Sequence, residues 1–162
     1  MSDSSNLWRE PIRHTLATLA YRGGKPLRDA PASFALYRTE PTSRAPVEIL
    51  AHIGDLLDWA LSIARGNPTW HDTQPLPWPQ ESDRFFAALQ ALDAYLASGE
   101  PVHAPLEKVF QGPLADALTH VGQLTMLRRM AGCPMRGENY FIADIEIGRV
   151  GPAQAAPRRE FD

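Results

Sequence analysis

Apolar residues return every three or four positions in four separate stretches of the chain, the spacing of a helix with one face in a core. The first runs from Leu7 to about Arg22 through Ile12, Leu16, Leu19 and Ala20, with Pro11 acceptable in its first turn and Gly23-Gly24 and Pro26 as its stop. The second, from about Ala45 to Ala64, carries Ile49, Ile53, Leu56, Ala60 and Ile63, widened by Leu50, Leu57, Leu61 and Ala64. Pro46 suits its first turn, Ser43 is a candidate cap, and Gly66-Asn67-Pro68 ends it. The third, from about Pro79 to Ser98, has Phe85, Leu89, Leu92 and Leu96, with Phe86 and Tyr95 adjoining, and stops at Gly99. The fourth runs from Pro113 to Ala131 through Leu114, Leu118, Val121, Leu124 and Leu127, and Gly132 and Pro134 close it.

Two long connectors separate these stretches. Residues 25–42 carry three prolines and could cross one end of a bundle, anchored by Phe34, Leu36 and Tyr37. Residues 99–112 admit one turn at Leu106–Phe110 before Gly112 breaks the chain. Tyr140 to Ile147 reads as a short helix packed on one end. No strand ladder or internal repeat appears. The pattern predicts an all-α four-helix bundle with long connectors and a short C-terminal helix, occupying residues 7–149 between loose tails at 1–6 and 150–162.

Composition narrows this only slightly. A chain of 162 residues, 44% hydrophobic and 22% charged, suits one globular domain. A net charge of -3 with scattered basic residues argues against nucleic acid as a partner. No apolar run is long enough to span a bilayer, and the start lacks the features of a secretory leader. With a single cysteine, Cys133, these features predict a cytoplasmic protein without an internal disulfide.

The chemistry-bearing residues gather on two of the helices. Asp116 and His120 are four apart, so both side chains can point at one spot from the fourth helix. His52 lies between Ile49 and Leu56 at the border of the second helix's apolar face. If those helices are neighbours, two imidazoles and a carboxylate converge, a donor set suited to a borderline divalent ion with an open position. The alternative is a surface Asp–His pair plus a half-buried His52 bonded to Glu48 or Asp55. Gln123, one turn past His120, either orients the ligand shell or simply solvates a helix face. Asp55 could accept the other ring N–H of His52. Arg128 and Arg129 suit the negative end of the fourth helix and would receive a substrate carboxylate only if they face the site. Cys133, at a helix C-terminus, has no reason for a lowered pKa. Glu138, Asp144 and Glu146 are reserves should the C-terminal segment close over the site.

Ala-His-Ile-Gly-Asp-Leu-Leu-Asp-Trp around His52, and His-Val-Gly-Gln-Leu-Thr-Met-Leu-Arg-Arg-Met-Ala-Gly from His120, resemble the DinB-like metalloprotein superfamily. The resemblance spans about residues 7 to 148. It implies a four-helix bundle with a divalent metal near one end, held by one histidine of the second helix and a His-x-x-x-His pair of a later one. His52 matches the first position and His120 the last, with Asp116 standing where the first histidine of the pair is usual. The ligands so implied are His52, Asp116 and His120, for one ion, with Zn or Ni favoured over Mn or Fe. Aspartate tilts the site towards harder ions, or else marks a lost ligand and lost catalysis.

The family includes thiol-dependent transferases and isomerases. The resemblance therefore implies a divalent-metal-dependent enzyme that acts on a small electrophilic substrate with a low-molecular-weight thiol cosubstrate. A metal-dependent hydrolase is the other enzymatic reading, since an ion can activate either water or a thiol. A non-catalytic bundle that binds a ligand or dimerises, with Trp59, Trp70 or Trp78 at the interface, stands against both. Homodimerisation is expected in either case.

Overall fold

The computed structural model describes residues 3–161. Among them, four long helices form the bundle: α1 (Asp3–Leu27), α2 (Pro46–Ala64), α3 (Trp78–Ala97) and α5 (Ala115–Met130). A short α4 (Leu106–Val109) and a π-helical turn (Phe110–Leu114) lead straight into α5. Two short strands, β1 (Gly137–Glu138) and β2 (Glu160–Phe161), pair antiparallel, with Gly137 opposite Phe161 and Glu138 opposite Glu160.

Around the bundle the order is α1, α3, α2, α5: α1 and α2 each pack on both α3 and α5. Helices consecutive in sequence are therefore diagonal twice, α1 to α2 and α3 to α5. A diagonal step must traverse the bundle's end, which is why the two connectors are long. In the first, Phe34 is buried and the Tyr37 hydroxyl donates to the Met130 carbonyl at 3.1 Å, whereas Leu36 points outward. In the second, His103 N–H donates to the Ala64 carbonyl, and Leu106 and Val109 are buried.

The predicted stripes are the core: Ile12, Leu16, Leu19, Leu50, Ile53, Leu57, Leu89, Leu92 and Leu124 are all essentially inaccessible to water. Several boundaries differ from the sequence reading. Residues 3–6, read as tail, belong to α1. That helix also runs through Gly23-Gly24 instead of ending there. A Cβ at Gly23 would lie 2.6 Å from Cζ of Phe85, and one at Gly24 would lie 3.3 Å from Cζ of Phe86. These glycines admit two phenyl rings of α3; they are packing sites, not a stop.

Gly23→Ala tests this. Alanine is better than glycine in a helix by about 1 kcal/mol, but overpacking a rigid buried ring costs about 1–3 kcal/mol. A net loss of about 1 kcal/mol in urea unfolding is expected, whereas a gain would mean that Phe85 yields freely.

The start of α2 is capped by Glu48, not by Ser43. The Glu48 carboxylate accepts the Ala45 N–H at 2.6 Å, and this bond, helped by Arg38, holds the carboxyl below its usual pKa. Ser43 instead accepts the Thr39 and Glu40 N–H groups within the connector. Gly112 does not break the chain either. Pro113 has no N–H for the Val109 carbonyl, so the helical ladder widens by one residue and continues.

At the C-terminus, Tyr140–Ile142 forms one 3-10 turn in place of the expected short helix. Residues 150–161, expected to fray, are tied down instead. Val150 is buried, and Lys25 of α1 bridges Glu138 at 2.8 Å and Glu160 at 2.9 Å, clamping the strand pair to the bundle.

Candidate metal centre

Because α2 and α5 are neighbours, His52 faces the first two turns of α5. Asp116 and His120 both emerge from α5 on the side towards His52. Nε2 of His52 is 3.6 Å from an Asp116 oxygen, Nδ1 of His120 is 3.1 Å from the other, and the imidazole centroids are 4.7 Å apart. One donor atom from each residue lies within 4.8 Å of the other two. Donors on a tetrahedral ion with bonds of roughly 2.0–2.2 Å stand about 3.3 Å apart, so small side-chain adjustments bring all three onto one ion.

The protonation chemistry agrees with that donor set. Burial, then the neighbouring His120 and Arg44, lower the His52 pKa against the opposing pull of Asp116. This favours the neutral form of His52, the form that ligates. Nδ1 of His120 lies 2.8 Å from the Asp116 backbone carbonyl. A carbonyl can only accept, so Nδ1 is the donor in this bond, which leaves Nε2 as the ring atom available to an ion. Such a bond from the distal nitrogen is how proteins orient a ligating histidine. The site is only partly sheltered, with Asp116 about half exposed and His120 nearly covered.

Aromatic rings wall one side. Trp70 packs edge-on against His52 with centroids 5.7 Å apart, and against Trp59 at the same distance. The proline-broken segment carrying Trp70 is tethered by Asp55 of α2, which accepts both the Thr73 N–H at 3.0 Å and its hydroxyl at 2.6 Å, while Arg84 of α3 grips the same carboxylate. This tether was not legible in the sequence, where Asp55 reads as a partner for His52. Burial alone would push the Asp55 carboxyl upward, but the bonds from Thr73 and Arg84 overcome it and hold the group below the usual aspartate value.

A carboxylate so depressed stabilises the fold fully above its unfolded pKa of about 3.9, and that stability is lost as pH falls through the lower folded value. Asp55→Asn is expected to destabilise the protein at neutral pH and to flatten its acid limb below about pH 4. Urea melts at a series of pH values read both; an unchanged acid limb would place the acid sensitivity elsewhere.

Gln123 shares a side of α5 with Asp116 and His120 but is exposed and makes no bond to them among the described residues. Glu48 is occupied by the cap and by Arg38 at 3.0 Å, so neither carboxylate considered as a partner for His52 takes that role. Arg128 is buried and donates to the carbonyls of Cys133, Pro26 and Arg28, which makes it a structural tie between the ends of α5 and α1. Among the three reserves, Glu138 binds Tyr21 and Lys25, Asp144 pairs with Arg158, and Glu146 pairs with Arg149.

Next to the triad, a polar hollow of about 270 Å³ is lined by His52, Arg44, Glu48, Asp55 and Thr73. It shares Glu48 and Pro75 with a larger apolar cavity of about 740 Å³, walled by Ala35, Leu36, Val47, Leu76 and Trp78. No known protein family, curated protein or solved structure matches the chain. The bundle and its triad are nonetheless consistent with a DinB-like metalloprotein arrangement. Among the described residues, no helix is long and apolar enough to cross a membrane.

Proposed function

We propose that the protein is a divalent-metal-dependent enzyme acting on a small electrophilic substrate, with a low-molecular-weight thiol as cosubstrate in a transfer or isomerisation. The observation that carries this is the convergence of His52, Asp116 and His120 beside a hollow large enough for a ligand. These three residues would hold the ion, with Zn or Ni favoured by the two imidazoles and Mn or Fe next. When bound, the ion supplies Lewis acidity that favours the thiolate of a thiol or polarises an electrophilic centre.

The chain's own groups do the rest. His120 is held in its ligating tautomer by the Asp116 carbonyl, and Asp116 adds a negative charge that favours a cation. Trp70 and Trp59 shield one flank from water. The apolar cavity that shares Glu48 and Pro75 with the hollow suits an organic body, with the reacting end at His52. Gln123 is proposed as a residue that orients the ligand shell on the exposed side.

The test is elemental analysis of purified protein before and after chelation, followed by turnover of an electrophile panel with and without thiols. About one divalent ion per chain, and turnover that needs both the ion and a thiol, are the expected results. Metal-dependent turnover without a thiol would favour a hydrolase. No metal uptake from any of the four ions would overturn the proposal. The large cavity outside the triad favours a second reading, a non-catalytic ligand-binding bundle, which predicts saturable ligand binding without turnover. A homodimer in the cytoplasm, without a nucleic-acid partner, completes the proposal; sedimentation at several concentrations tests the assembly.

A further inference from the structure

A second hollow, of about 380 Å³, lies between α1, α5 and the β1–β2 pair. On α5 it is bordered by Leu118, Gly122, Thr125 and Arg129, which a helix of 3.6 residues per turn places away from Asp116 and His120. It is therefore separate from the candidate metal centre. Three arginines stand around it: Arg22 from α1, Arg129 from α5 and Arg136 next to β1. Such clustering is unexpected in a chain of net charge -3. Arg136 is 3.7 Å from Glu160. Arg22 and Arg129 are exposed and make no ion pair among the described residues; the Arg22 guanidinium instead lies 4.3 Å from the centroid of the Tyr140 ring. Among the described residues the carboxylate in the wall is Glu138, which is paired with Lys25 and accepts the Tyr21 hydroxyl.

Gly122 stands in the same wall. It is exposed, and a Cβ there would meet nothing within 4 Å, so a large side chain at this position would project into the hollow. Leu118, Val121, Met135 and Phe161 supply apolar surface beside the guanidinium groups.

We infer that this hollow is a binding site for a small organic phosphate monoester. Its head carries a charge of about -1.5 to -2 at neutral pH, which the guanidinium groups of Arg22 and Arg129, free of ion pairs among the described residues, match in sign and in hydrogen-bond donors. The volume takes the head and one ring or short chain, and the apolar wall receives that organic part.

The test uses the full chain and four probes in calorimetric titration at physiological salt: phenyl phosphate, inorganic phosphate, succinate and phenol. Phenyl phosphate is expected to bind once per chain with a dissociation constant below about 1 mM, and at least about tenfold more tightly than the other three. Arg129→Gln and Arg22→Gln should each weaken it by about tenfold or more. Arg65→Gln, at the far end of α2, should leave it unchanged. Gly122→Phe should abolish binding by filling the space, with circular dichroism and metal content as in the unsubstituted protein. Several outcomes overturn the assignment: no saturable binding of phenyl phosphate, equal weakening by Arg65→Gln, undiminished binding in a folded Gly122→Phe protein, or inorganic phosphate or succinate binding as tightly as phenyl phosphate.

Discussion

Alanine at His120 is expected to lower divalent-metal affinity by at least about 100-fold, since even partners outside the ligand set are worth 10–100-fold. The apo fold should change little. The imidazole sits at the edge of the bundle, and its bond to the Asp116 carbonyl spans one helical turn, so roughly 1 kcal/mol or less is at stake. His52→Ala should act the same way. Asp116 separates the proposal from its competitors most sharply. If its carboxylate is a ligand, Asp116→Ala loses the metal and Asp116→His retains one, with preference moved towards Zn and Ni. If Asp116 only pairs with His120, alanine there leaves metal content intact. Isothermal titration of the chelated protein with Zn, Ni and Mn gives all of these affinities. Binding unchanged by either histidine substitution would remove the site.

The second large effect lies at Lys25. Its ammonium is almost wholly covered and sits between Glu138, itself deeply buried, and Glu160. Burial alone would pull the lysine pKa down, but the bonds to Glu138 and Glu160 reverse this and raise it. Lys25→Met keeps the stem and deletes the charge, leaving Glu138 buried with only the Tyr21 hydroxyl. Breaking a buried pair from one side costs about 3–5 kcal/mol, which for a chain of this size is about 6–20 °C in Tm. Lys25→Met combined with Glu138→Gln should recover part of the loss, because no uncompensated charge remains. Urea unfolding of the two single variants and the double measures the coupling. A loss below about 1 kcal/mol for Lys25→Met would show that the ion pair is not what clamps the strand pair to α1.

The positions of the long helices were legible because burial on one helical face imposes a local period. Ile49, Ile53, Leu56 and Leu57, for example, announce α2 without reference to any other part of the chain, and they are buried as expected. The same locality makes Asp116 and His120 a pair on spacing alone, because four residues along a helix is a fixed distance. Punctuation was less secure. Gly23-Gly24 reads as a stop, yet continues a helix because Phe85 and Phe86 need the space, and Gly112 continues one because Pro113 widens the ladder around it.

What the sequence determined by itself is therefore the set of helices, the apolar face of each, and which titratable residues share a turn, since all of these depend on neighbours a few positions away. The tertiary structure alone decided the rest. It set the diagonal order that lays two connectors across the bundle, and the approach of His52 to the α5 pair. It also turned Arg128 inward onto three carbonyls while leaving Arg129 beside a cationic hollow. Those outcomes depend on groups tens of residues apart in the chain, whose meeting is set by how whole helix faces pack and is written in no local spacing.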